Sequence, residues 1–373
     1  MLSDYISAGN QLRVLQDGTE TLPAMFQAIR GARHYVHLEY YVIEDVHVCG
    51  ESLLELLIAK CRSGVQIAII YDAVGSSHTP SEFFAGLRRH GVHLLPFNPV
   101  NPLKSRSPYS LNHRDHRKIL IADGAIAFIG GINMSRAYES PPVQRRWRDT
   151  DLQVEGPAVT HLARLFREHW KSHGGTALEQ RGCHLPLAQR GVETVAIIGS
   201  CPQFGGTRFY DVFLAALRAA KVRAWITAGY FLPTVALMRE LAQAAARQVD
   251  VKLLLPSHND SVAALAVQRS RYARLLADGV EILERNSVIL HSKSAIIDES
   301  WSCVGTSNID ARSVRYNDEV DAIVVGTQTA KSLAQLFLDD VAKARRIEPA
   351  AWQARPVAEK LREMFWRPWQ GVL

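Results

Sequence analysis

The sequence predicts an α/β protein of two similar halves, each a mixed β-sheet with helices on its faces, packed with pseudo-twofold symmetry. Three observations carry this prediction. A phrase recurs: His116-Arg-Lys118-Ile-Leu-Ile-Ala-Asp123 with Gly130-Gly131-Ile-Asn133, then His291-Ser-Lys293-Ser-Ala-Ile-Ile-Asp298 with Gly305-Thr306-Ser-Asn308. Every element of the second copy lies 175 positions beyond its counterpart. Helical and strand periodicities alternate ahead of each copy, and Asp123-Gly124 is a strong hairpin signal after the first.

The elements match in order. Residues 28–41 read as a helix end followed by a strand, and 216–230 repeat that pattern. Residues 51–71 give an amphipathic helix and the strand Val65–Tyr71, paralleled by a helix near 234–246 and the strand Val251–Leu255. A further helix leads to Gly91-Val92-His-Leu-Leu95, matched by Gly279-Val280-Glu-Ile-Leu283. The motif strand, a turn and a second strand follow in each half. The segments Trp147–Val154 and Asn317–Val324 close the two sheets. A helix at roughly 157–172 ends the first half. The boundaries read from this are 1–175 for the first domain, 176–192 for a linker, 193–346 for the second domain and 347–373 for a C-terminal tail.

The bulk properties narrow the function classes. With 373 residues there is room for two full cores, and nothing reads as low complexity. A net charge of +6 favours a phosphate-rich partner, which fits nucleic acid and an anionic membrane surface equally. Five cysteines without C-x-x-C spacing argue against a disulfide framework or a zinc site and for a reducing compartment. No uncharged apolar run approaches the ~20 residues that cross a bilayer. The expectation is a cytoplasmic protein, soluble or peripheral on the membrane, whose oligomeric state the sequence leaves open.

Two histidines, two lysines and two asparagines facing one another suit a phosphodiester. Such esters resist attack because their anionic oxygens repel a nucleophile. Lys118 and Lys293 supply positive charge, and Asn133 and Asn308 supply amide donors for non-bridging oxygens. One imidazole can attack phosphorus while the other protonates the leaving alkoxide, both being groups that titrate near neutrality. The attack gives a phosphohistidine and calls for no metal and no cofactor. A neutral histidine nucleophile needs its other nitrogen held by an acceptor, and Asp149 and Glu319 are the candidates. The motif acids Asp123 and Asp298 lie five residues beyond their lysines. That odd separation puts them on the opposite strand face and favours a turn-forming or ion-pairing role. His113, without a counterpart in the second half, reads as incidental. Glu39, Tyr41 and Tyr230 end strands that point to the seam, in structural or substrate-contacting roles alike.

At these residues the chain resembles the phospholipase D superfamily, whose signature is a duplicated H-x-K-x-x-x-x-D. The resemblance covers roughly residues 12–345. It is most similar to the bacterial cardiolipin synthases, though without N-terminal transmembrane helices. The finer match rests on Leu38-Glu39-Tyr-Tyr41, Tyr71-Asp72-Ala-Val-Gly75-Ser76, Trp147-Arg-Asp-Thr150, Gly229-Tyr230-Phe231-Leu-Pro233 and Asn308-Ile-Asp310-Ala-Arg312-Ser313. The resemblance implies two phospholipase D-type domains with the site at their interface. It implies transfer of a phosphatidyl group from phosphatidylglycerol to a second lipid or an alcohol. It gives His116 as nucleophile and His291 as general acid then base, with the reverse order also open. Lys118, Asp123, Lys293 and Asp298 complete the implied catalytic set. Two departures stand out: Thr306 where serine is commoner, and Asp318 where an apolar residue is, near the acceptor end of the site. A hydrolytic phospholipase D is the alternative. A nuclease of the same superfamily ranks below it, because the chain lacks the Lys/Arg stripe interleaved with aromatics that nucleic acid requires. A non-enzymatic membrane scaffold ranks lowest.

The tail combines Trp352, Phe365, Trp366 and Trp369 with Arg355, Lys360, Arg362 and Arg367, between Pro356 and Pro368. It reads equally as an interfacial segment on anionic lipid or as a helix packing its aromatics on the domain.

Overall fold

The computed structural model describes residues 5–99, 101, 112–139, 147–179, 188–201 and 208–368. Among the described residues, seven strands of each half lie in the main sheet in the same spatial order. In the first half they run Ile6–Gln16, Thr150–Glu155, Ile126–Gly130, Lys118–Ala122, Tyr35–Tyr40, Gln66–Asp72 and His93–Phe97. In the second they run Glu193–Ser200, Asn317–Val325, Trp301–Gly305, Lys293–Ile297, Arg223–Ala228, Asp250–Pro256 and Glu281–Arg285, with Ala344–Arg346 added at the far edge. The strands joined by crossover helices pair in parallel, as Tyr35–Tyr40 does with Gln66–Asp72, and the motif hairpins pair antiparallel.

Two strands absent from the sequence-based reading join the halves. Ile6–Gln16 pairs antiparallel with Thr150–Glu155 on one side and with Glu193–Ser200 on the other. The two half-sheets therefore form one continuous sheet. Helices Ala158–Ser172 and Thr327–Val341 contribute to a core shared by both halves, where Phe166 and Trp170 join Leu333 and Phe337. Separate clusters, around Phe26 and Leu57 and around Phe213 and Leu241, close the outer faces of each half. Burial of this kind, at about 25 cal/mol per Å² of apolar surface, is what holds two motif strands at a fixed separation.

A buried polar network also spans the seam. Glu39 accepts from Arg117 at 3.2 Å and from His169 at 2.8 Å, and Asp318 accepts from His113 at 2.9 Å. The other ring nitrogen of His169 lies 3.1 Å from Asp318. Burial would lower the His169 pKa, but Glu39 and Asp318 outweigh it and carry it up to about 10. His113 is thus a structural residue and not incidental. Asp318 is buried in this network, and Glu39 belongs to the scaffold.

No helix among the described residues is long and apolar enough to cross a membrane. In the tail, Trp352 is buried against Tyr272, and Trp366 packs on a small cluster with Leu232, Ala264, Val267 and Tyr230. Phe365 is 65% exposed, and Trp369 lies outside the described residues, as do positions 180–187 of the expected linker.

Candidate active site

The loop ahead of each motif histidine is zipped onto the other half. Arg114–Asp115 pairs in parallel with Asn317–Asp318, and Trp147–Arg148 pairs in parallel with Ile289–Leu290. The next residue in each register is the functional one. His116 N–H donates to Asp318 C=O at 2.9 Å, and His291 N–H donates to Arg148 C=O at 2.8 Å. These short ribbons set His116 opposite Glu319 and His291 opposite Asp149.

The carboxylates then hold the rings across the seam. His116 Nδ1 lies 2.9 Å from Glu319 Oε2, and His291 Nδ1 lies 2.7 Å from Asp149 Oδ2. An ionised carboxylate only accepts, so Asp149 sets the His291 proton on Nδ1 and leaves Nε2 its lone pair, as Glu319 does for His116 when ionised. The acids are themselves fixed. Tyr138 Oη donates to Asp149 at 2.8 Å, while Thr306 Oγ1 donates to Glu319 at 2.6 Å and Asn317 adds a bond of 3.2 Å. The threonine that departs from the family pattern keeps the hydroxyl that this contact uses.

Both histidines line one cavity of about 450 Å³, together with Asn133, Asn308, Tyr41, Tyr230 and Arg312. Asn133 Oδ1 accepts from Val42 N–H at 3.2 Å, which leaves its amide hydrogens for a ligand. Lys118 and Lys293 are buried beside the histidines, each ammonium donating to the carbonyl of its own motif histidine, at 2.7 Å for Lys118.

The electrostatics suit an anionic ligand. Burial lowers Lys118 to about 7 and Lys293 to about 8 against the pull of Glu319 and Asp149, and the Lys293 ammonium adds to the lowering of Lys118. Burial and the same two lysines hold His291 at about 4 and His116 well below the usual imidazole range. Burial alone would raise Asp149, but His291 and Lys293 keep it ionised at about 2. Glu319 is carried up to about 7 by burial, partly offset by Lys118 and by its hydrogen bonds. A phosphate monoanion entering the cavity offsets the lysine repulsion and raises the lysine and imidazole pKa values together.

The motif acids sit elsewhere. Asp123 accepts from the backbone N–H groups of Arg33, His34 and Tyr35 at 2.7, 2.8 and 2.9 Å. Asp298 does the same for Lys221, Val222 and Arg223, the shortest bond being 2.8 Å. Both lie at the far ends of their motif strands, about 16 Å from the lysines at ~3.3 Å per residue. Asp123 and Asp298, counted with the catalytic set in the sequence reading, thus stand apart from the lysines and anchor the loop ahead of the neighbouring strand, with Asp123 and Gly124 at φ 53° and 62° in a turn.

Several residues were not singled out by sequence reasoning. Asp151 accepts from Ile132 N–H at 3.0 Å, and Asp321 accepts from Ser307 Oγ at 2.5 Å, so each braces the loop that carries a motif asparagine. A Cβ on Gly130 or Gly305 would stand 2.2 or 2.0 Å from those carboxylates, and one on Gly131 would stand 2.0 Å from Asp149. The glycines of the motif are set by this close approach of acids. Asp151 and Asp321 share the 170-residue offset of Asp149 and Glu319, which was the available signal. Tyr138 gave none, and Arg312 entered only through the resemblance.

Comparison with known proteins fits this geometry. A family profile described as "Cardiolipin synthase, PLD-like domain" matches residues 25–170 and 213–341. A probable cardiolipin synthase of Bacillus subtilis is 31% identical over 370 residues, covering 99% of this chain and 73% of that relative. A cardiolipin synthase of Geobacillus sp. is 34% identical over 362 residues, covering 96% and 71%. Among solved structures, a phosphatidylserine synthase from Haemophilus influenzae aligns with a TM-score of 0.71 at 12% identity, over 97% of this chain and 95% of that one. A polyphosphate kinase from Porphyromonas gingivalis aligns at 0.61 and 13% identity, over 97% and 54%. At such low identity these two speak for the fold alone.

Proposed function

Since the chain belongs to the cardiolipin synthase family of phospholipase D-like proteins, we propose that it transfers a phosphatidyl group from one phospholipid, phosphatidylglycerol, to a hydroxyl of another. The observation that carries this reading is the pair of histidines on one cavity, each held at Nδ1 by a carboxylate of the opposite half.

In the first step His116 Nε2 attacks phosphorus, and the bond from phosphorus to the glycerol head group breaks. The departing alkoxide takes its proton from the Nε2 of His291, protonated once the donor phosphate has raised its pKa, leaving phosphatidyl-His116 and free glycerol. In the second step a hydroxyl of the acceptor gives its proton to His291 and attacks phosphorus, expelling neutral His116. With phosphatidylglycerol as acceptor the product is cardiolipin. Lys118, Lys293 and the amides of Asn133 and Asn308 stabilise the non-bridging oxygens as charge builds. Glu319 and Asp149 orient the rings.

The protein docks on the surface of an anionic bilayer through helix Val357–Trp366. Val357, Leu361, Met364 and Phe365 recur at helical spacing and face outward, while Glu363 faces inward to Arg355. Lys360, Arg362 and Arg367 flank that stripe, an arrangement suited to acidic head groups. Trp366 and Tyr230 pack against one small cluster that includes Ala264, and Tyr230 and Ala264 line the catalytic cavity, so the stripe lies near its mouth.

Purified protein on phosphatidylglycerol vesicles is expected to yield cardiolipin and glycerol, and His116→Ala to abolish both. Phosphatidic acid as the main product would favour hydrolysis instead. Inactivity on every phospholipid would overturn the reading.

A further inference from the structure

Transfer to a second phospholipid places a demand on the protein that transfer to water does not. The acceptor brings its own phosphodiester, one glycerol length from the attacking hydroxyl, together with acyl chains. The catalytic cavity is committed to the donor phosphate, so a second cationic position with an apolar track must adjoin it.

The second half carries such a feature. A groove of about 940 Å³ runs between helices Val235–Ala246 and Tyr272–Ala277. Its floor is Met238, Ala242 and Ala246, along a helix of 12 residues that spans about 18 Å at 1.5 Å per residue. Its rim holds Arg239, Arg271, Arg274 and Arg315. Asp278 is the one carboxylate on that lining, and Arg274 already takes it at 2.8 Å. Glu240, which pairs with Arg239 at 3.2 Å, is shared with Arg218 at 3.0 Å. Arg315 is exposed and has no carboxylate partner among the described residues. Arg271 is lowered by burial and by the neighbouring Arg367, a crowding of cations that an anion would relieve.

Two chain segments also lead from the catalytic cavity to the groove. Tyr230 and Arg312 line the cavity, and Pro233 and Arg315, three residues further along each segment, line the groove. The two segments run side by side: Phe231 bridges Ile309 in parallel, Leu232 N–H donates to Ile309 C=O at 2.6 Å, and Ile309 N–H donates to Tyr230 C=O at 3.2 Å. Three residues cover at most about 11 Å of chain.

We infer that this groove is the acceptor-lipid subsite, with the acceptor's phosphate at Arg315 and an acyl chain along Met238, Ala242 and Ala246. The inference rests on the phosphatidyl-transfer reading and adds to it where the second lipid sits. Charge complementarity selects an anionic amphiphile over a neutral one, and the link to the cavity selects the acceptor over an unrelated lipid.

The test compares two acceptors in one reaction. Phosphatidylglycerol vesicles containing ethanol give cardiolipin from the lipid acceptor and phosphatidylethanol from the small one. Arg315→Glu is expected to lower the cardiolipin-to-phosphatidylethanol ratio about tenfold or more, and Arg315→Lys to hold it near the parent value. A ratio unchanged by Arg315→Glu overturns the inference. A second arm uses His116→Ala protein, which does not turn over, titrated with dioctanoyl phosphatidylglycerol. Two molecules are expected to bind, and adding Arg315→Glu to remove one of them. A parent that binds one, or a stoichiometry that Arg315→Glu leaves at two, overturns the groove. Should the unmodified protein form no phosphatidyl product, the transfer reading falls and the binding stoichiometry alone judges the groove.

Discussion

Asp149, in the first half of the chain, accepts the ring N–H of His291, in the second, at 2.7 Å, and Glu319 serves His116 in the reverse direction at 2.9 Å. Neither half therefore contains a motif histidine together with the carboxylate that holds it. The duplicated motif works only when the two halves are docked, and the short parallel ribbons before each histidine set that register.

Removing the acceptor charge while keeping the shape isolates this contact. Asp149→Asn and Glu319→Gln are each expected to lower kcat by about 10²–10⁴-fold, because the amide lets the imidazole adopt the wrong tautomer. Product formation measured beside circular dichroism checks this. A variant that keeps its rate would show that the carboxylate does not orient the ring.

Asp123→Ala and Asp298→Ala are expected to act on stability. Each leaves backbone N–H groups without their acceptor, a loss of about 1–3 kcal/mol in urea unfolding. Turnover per folded molecule stays within a few-fold of the parent. A collapse of kcat in folded protein would restore these acids to the catalytic set.

His37 gives a pH dependence of known sign. Its ring is buried between Tyr35 and Phe166, neither nitrogen has a hydrogen-bond partner among the described residues, and burial followed by Arg167 lowers it to about 3. The unfolded chain takes up a proton near pH 6.5 and the folded chain does not. Stability is therefore full above about 6.5 and falls with decreasing pH down to about 3, with a slope of up to about 1.4 kcal/mol per pH unit. His37→Phe is expected to flatten that part of the curve. Equal slopes for parent and variant would refute the assignment.

Phe365→Glu and Leu361→Glu place charge on the outward face of the last helix. Co-sedimentation with anionic vesicles is expected to weaken about tenfold, as for one large apolar side chain kept in water. Undiminished binding would move the membrane contact elsewhere.

Much of this arrangement was legible in the sequence, for definite reasons. The motif strands and their partners are short runs of β-branched and aliphatic residues, such as Ile119-Leu-Ile121 and Ala295-Ile-Ile297, whose burial on both faces leaves no ambiguity of type. Asp149 and Glu319 stood out by equivalent position. The crossed pairing did not, because which half serves which ring is decided by docking and not by local pattern. Strand Ile6–Gln16 has an irregular burial pattern, broken by buried Gly9 and Asn10, and precedes the first repeated element read from the sequence, so nothing in the duplication announced that it joins the two sheets. His113 and Asp318 meet across 205 positions, a separation at which single-sequence reasoning has no signal.

The central claim is that two imidazoles act on one phosphorus through a covalent intermediate. His291→Ala protein mixed with phosphatidylglycerol, quenched under alkaline conditions and digested, tests it by mass spectrometry of the motif peptides. A phosphatidyl adduct on the peptide containing His116 is the predicted result. Cardiolipin formed by His116→Ala protein, with no adduct on either motif histidine, would contradict it.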